Sequence, residues 1–259
     1  MSAASVLKAR LNPWTVARRG EGAVRVSPGA VSDRRPTRPA GWTSRVALIA
    51  IVTPAGFFAV MMILGFVTPG YDWVARYGSE LSLGSLGWIM IANFVILGVV
   101  ELALASALGR MIANSVSGWL ATVGIGFLGA AFVTAGVCVT DPARLVSGAH
   151  TWHGMVHALM AVVIFFIATP AAALATARRL RGLRGFAVYS VAAAVGTPAL
   201  LVVTFVSGSF LGLTERIAIA FALAWLTSLA VQLRRCAFTG SESGAFAAHG
   251  RGTHPCRTA

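Results

Sequence analysis

Three histidines, His150, His153 and His157, follow Asp141 at short spacing. At about 100° per residue they fall within roughly 60° of arc, so a helix containing them presents the imidazoles on one face. His153 and His157 are four apart, the spacing by which one helical turn supplies two metal ligands. His150 stands near the same face, and with a metal bound Asp141 or Glu80 would orient or deprotonate its water. Asp141, His153 and His157 are therefore the candidate catalytic residues, and His150, His153 and His157 the candidate metal ligands. A structural reading stands beside this one. Interfacial histidines commonly bond backbone or water, and Asp141 before Pro142 is a good helix cap or turn former.

A second polar segment runs from Thr68 to Trp88 and carries Tyr71, Asp72, Arg76, Tyr77, Glu80 and Ser82. It is either an amphipathic stretch lying on the protein or a lid that brings Asp72 or Glu80 against the histidines. Asp72, Glu80, Ser82, His150 and Glu215 are the candidate binding residues. Glu101 stands apart inside an apolar run, where an ionisable residue is expensive. It lies 13 residues past Trp88, about 20 Å along a helix, too far from His157 to share one metal site. The expected partner is Arg110 or a hydroxyl, or else Glu101 stays neutral against a neighbouring helix.

The elements that must position these residues are membrane spans. Of the 259 residues 57% are hydrophobic and 11% charged, with a mean hydropathy of +0.78, whereas soluble domains carry about 25% charged residues. The apolar residues come in blocks of roughly 20, the length that crosses a hydrocarbon core of about 30 Å as helix. Six are expected, at about 46–67, 87–108, 119–139, 154–175, 186–206 and 217–231, making an all-α, polytopic six-helix bundle. Thr-Pro pairs at Thr53, Thr169 and Thr197 predict local kinks in spans one, four and five.

Residues 1–45 and 232–259 read as loose basic tails. The formal charge of +13 does not imply nucleic acid, because the arginines gather in the tails and one short loop. Charge placed there orients a membrane protein and attracts anionic lipid, so membrane lipids are the expected partners. Eighteen Lys and Arg fall on the side of the termini and three (Arg76, Arg144, Arg216) on the other. Both termini are thus expected in the cytoplasm of a multi-pass cell-membrane protein, with Asp72, Glu80, Asp141 and Glu215 outside. The three cysteines imply no disulfide framework.

The segments Pro69 to Leu81 and Gly87-Trp88, Asp141-Pro142 to His157, and Glu215-Arg216 before Trp225 resemble the bacterial and archaeal six-helix membrane family known as domain of unknown function 998. The resemblance covers about residues 45–235 and implies no established activity. A weaker likeness is to membrane hydrolases of the alkaline ceramidase kind, which combine Ser, Asp and three His around zinc. Ser82 or Ser79, Asp141, His150, His153 and His157 match that recipe, but the seven-helix plan and the ligands divided between distant helices are absent. Two functions follow. One is a non-enzymatic membrane protein that binds or moves a lipid or small molecule through an outward-facing polar pocket. The other is a metal-dependent lipid hydrolase using the Asp and His cluster.

Overall fold

The computed structural model describes residues 40–142 and 150–246, and among them there is no strand. The helices are α1 (Ala40–Val67), α2 (Gly87–Ile112), α3 (Val116–Val137), α4 (Trp152–Val162), α5 (Thr169–Arg179), α6 (Arg184–Val206) and α7 (Leu211–Phe246). A π-helical stretch, Val163–Ala168, joins α4 to α5 as one continuous rod. Six helical segments are therefore long and apolar enough to cross a membrane. Much of the expected tails, with Arg144 and the rest of 143–149, lies outside the described residues.

No water reaches the hydrocarbon region, so backbone groups there are satisfied within each helix. Side chains then sort by surroundings. Leu48, Ile63, Phe127, Val188 and Val195 are exposed, as suits a surface wetted by lipid tails. Trp88, Trp119 and Trp152 are exposed near helix ends, where indole suits the interface. Inside, small residues permit close approach. A Cβ on Gly98 of α2 would stand 2.5 Å from the Gly129 carbonyl oxygen of α3, and one on Gly129 would stand 2.7 Å from that of Gly98. Only glycine at both positions allows these two backbones to touch.

Helices α1, α2 and α3 pack in succession, α5 lies between α3 and α6, and α7 closes the ring between α6 and α1. The rod of α4 and α5 is less evenly held, since α5 packs on both α3 and α6 while α4 packs chiefly on α3. Pro170 supplies the cause of the π-helical break between them. Its ring displaces the carbonyl four residues earlier and it donates no hydrogen bond, so the helix widens over the preceding turn. In α1, Thr53 Oγ1 donates to Ile49 O at 2.8 Å just before Pro54.

Two boundaries depart from expectation. The last span begins earlier than expected, after a short 3-10 turn, Gly208–Phe210, in which Gly208 has φ +55°. Glu215 and Arg216 therefore sit inside α7 instead of in a preceding loop. The same helix continues past Val231 to Phe246, into the stretch expected to be a loose tail. Cys236 is disulfide-bonded, which the spacing of three cysteines could not foretell.

Candidate functional site

The loop of residues 68–86 folds as a cap on the bundle end where α1 stops and α2 and α7 start. Asp72 makes a local turn, its Oδ1 accepting from Val74 N at 3.0 Å and Ala75 N at 3.2 Å. Arg76 grips Glu80 through Nε at 3.0 Å and Nη2 at 2.8 Å, and Glu80 Oε1 accepts from Tyr77 N. Ser82 Oγ donates to Ser79 O at 2.7 Å. Asp72, Glu80 and Ser82, expected to bind, are thus engaged in folding the cap itself.

The start of α7 clamps this cap. Glu215 Oε2 accepts from Gly78 N at 2.6 Å. Arg216, 2% exposed, donates from Nη1 to Arg76 O at 3.1 Å and from Nη2 to the Tyr71 hydroxyl at 2.8 Å. That hydroxyl in turn donates to Tyr77 O at 2.6 Å. Burial pushes the Tyr71 phenol above its ordinary range, against the opposing pull of Arg216, so it remains a donor at neutral pH. Burial likewise pushes the Tyr77 phenol up.

The histidines separate. Asp141 caps α4: its carboxylate accepts from Thr151 N at 2.9 Å and Thr151 Oγ1 at 2.8 Å, and Thr151 Oγ1 accepts from Gly154 N at 3.0 Å. Those bonds from Thr151 hold the Asp141 carboxyl below its usual range. A Cβ on residue 154 would collide with the same carboxylate, which is why glycine stands there. His150 precedes the helix, exposed, 3.7 Å from Asp141. His153 is exposed and stacked on Trp152 at 3.5 Å between ring centroids. His157 alone turns inward, and the helix starting only at Trp152 breaks the three-histidine face. Among the described residues no group of three or more His, Cys, Asp or Glu is arranged to hold a metal ion.

His157 is 7% exposed, and its Nδ1 lies 2.8 Å from Ala135 O and 2.9 Å from Cys138 O. Two carbonyls can only accept, so Nδ1 carries a hydrogen, and when the ring is neutral Nε2 is the acceptor. The ring lines a cavity of about 260 Å³ bounded by all six spans. Tyr77, Ser79, Thr140, His157 and Glu215 form its polar end, while Phe165, Ala222 and Leu226 are among its deeper walls. Leu226 lies 11 residues along α7 from Glu215, about 16 Å, so the cavity runs deep into the membrane. Val162 of α4 and Phe205 of α6 line it yet are 43% and 59% exposed. The cavity therefore has a wall facing the lipid, formed by these two residues.

A family model described as a protein of unknown function, DUF998, matches residues 51–232. The chain belongs to that family. In this DUF998 chain the matched region spans the cap, the cavity and nearly all of the spanning helices. Comparisons with curated proteins and with solved structures give no match.

Of the residues expected from sequence to bind or react, the DUF998 cavity draws together His157 and Glu215, joined by Tyr77, Ser79 and Thr140. Tyr77 and Ser79 lie in the polar stretch that the sequence marked. Thr140 opens the polar stretch that leads to the histidines, whereas the aromatic wall carries no sequence signal of its own. Glu101 is fully buried with neither carboxyl oxygen hydrogen-bonded. Its expected partner Arg110 is exposed and lies over the Trp42 ring instead, 4.1 Å from the centroid.

Proposed function

We propose that this membrane protein binds an amphiphile from the outer leaflet of the cell membrane in the capped cavity, with both chain termini cytoplasmic. The observation that carries the reading is the shape of the cavity's polarity. Hydroxyl, imidazole and carboxylate groups gather under the cap, and apolar walls continue about 16 Å deeper. A ligand with a polar head and an apolar chain matches both ends, and polar groups that few partners satisfy inside an apolar pocket are what fix a ligand's orientation. The lipid-facing wall at Val162 and Phe205 supplies an entrance from the bilayer. The placement of basic residues supports the orientation.

The test is photo-cross-linking in membranes with methyl hexadecanoate carrying a diazirine at the chain tip. Adducts on the α7 segment 219–226 are expected, and Ala222→Phe, which fills the cavity, should remove them. Adducts confined to lipid-facing positions such as Ile63 and Val188, unchanged by Ala222→Phe, would count against the reading.

A further inference from the structure

Most of the charged donors near the polar end of the cavity are engaged within the protein, Arg216 Nε being left without a partner. Arg76 is spent on Glu80, and Gly78 N on Glu215 Oε2. Arg216 is spent on Tyr71 and on backbone carbonyls. Neither Lys nor Arg lines the cavity. What remains facing it is different in kind. Glu215 is 9% exposed, and its Oε1 makes no hydrogen bond among the described residues, yet is not among the sealed buried atoms. The same holds for His157 Nε2, which accepts when the ring is neutral, since Nδ1 then carries the hydrogen. The Tyr77 and Ser79 hydroxyls can accept as well as donate. A carboxyl and an imidazole nitrogen, both on side chains more than nine-tenths buried, can accept from a head that brings hydrogens.

We infer that the cavity selects single-chain amphiphiles whose head donates hydrogen bonds, a long-chain primary amine or alcohol, over fatty acids and alkyl phosphates of equal length. The inference rests on the amphiphile-binding reading and adds the chemistry of the head. The volume of about 260 Å³ lies just below the roughly 300–1,000 Å³ usual for small-molecule sites, which favours a slender ligand. An amine head would meet Glu215 as a charge-assisted pair, and a hydroxyl would donate to His157 Nε2.

The experiment is competition against the diazirine methyl ester, whose head neither donates nor carries charge. Hexadecylamine and hexadecanol should suppress the α7 adduct at concentrations at least tenfold lower than hexadecanoate or hexadecyl phosphate require. Glu215→Gln, which keeps an acceptor for Gly78 N, should erase the advantage of the amine. His157→Asn, whose amide can still donate to the two carbonyls, should erase that of the alcohol. Competition in each variant is scored against that variant's own ester adduct, and where a variant loses the adduct the ranking of the four compounds in the parent protein decides. Equal competition by all four compounds, or stronger competition by the anions, overturns the head preference alone. Absence of cavity adducts from the ester overturns the amphiphile reading itself.

Discussion

Replacing Tyr71 with Phe removes a single oxygen that three groups of the cap share. Arg216 Nη2 donates to it at 2.8 Å, and it donates to Tyr77 O at 2.6 Å with Arg76 O at 3.1 Å as a second acceptor. A hydrogen bond to a charged group contributes about 1.5–3 kcal/mol and a neutral one about 1 kcal/mol. Arg216 cannot recover its share easily, being 2% exposed with Nε already unpartnered. Tyr71 is only part-buried, so water replaces some of the loss, and the expected cost is about 2 kcal/mol, below the sum of the two bonds. That converts to roughly 30-fold in the opening constant of the cap. Amide hydrogen exchange reads it directly: peptides over 71–83 and the Leu213 amide, which donates to Val74 O, should exchange about 30-fold faster. The α2 and α3 cores should not change. Tyr77→Phe is the control, because the Tyr77 hydroxyl makes no hydrogen bond among the described residues. Exchange within twofold of the parent in Tyr71→Phe, or equal acceleration in both variants, would refute the clamp.

Glu101→Leu should raise the unfolding temperature in detergent, since removing an unpartnered buried carboxyl recovers about 1–3 kcal/mol; a lower temperature would mean that the carboxyl has a partner. The folded-state pKa of Asp141 is depressed, so its cap contributes stability above the ordinary carboxyl value of 3.8 and loses it as pH falls through the lower folded value. Exchange of the first turn of α4 should therefore quicken on acidification below 3.8, and Asp141→Ala should show the fast rate at every pH. Orientation is read by cysteine labelling in a chain whose native cysteines are changed to serine. Gly84→Cys in the cap should react with a membrane-impermeant maleimide in intact cells, and Gly185→Cys only after permeabilisation; the reverse pattern inverts the topology.

The sequence by itself determined the number and approximate limits of the spans, because a helix must stay apolar for the thickness of the bilayer and that constraint acts residue by residue. It marked the polar cap and the 140–157 segment for the same reason: polar residues beside apolar blocks of this length must lie at the membrane surface. The Arg76 to Glu80 pair, four residues apart in one short stretch, was not read from the sequence, which set Glu80 against the histidines. The histidine face was not legible, because periodicity assumes that the helix has already begun, and Asp141 and Thr151 start it only at Trp152, leaving His150 outside and His153 on the surface. Tertiary structure also decided that Glu215 and Arg216 enter α7 and reach back across more than 130 residues to Gly78 and Tyr71. No local pattern encodes such a pairing. Whether a carboxyl ends in a clamp, a cap or a cavity depends on which helices pack beside it, and in lipid that choice follows small-residue contacts such as Gly98 on Gly129, which hydropathy does not register.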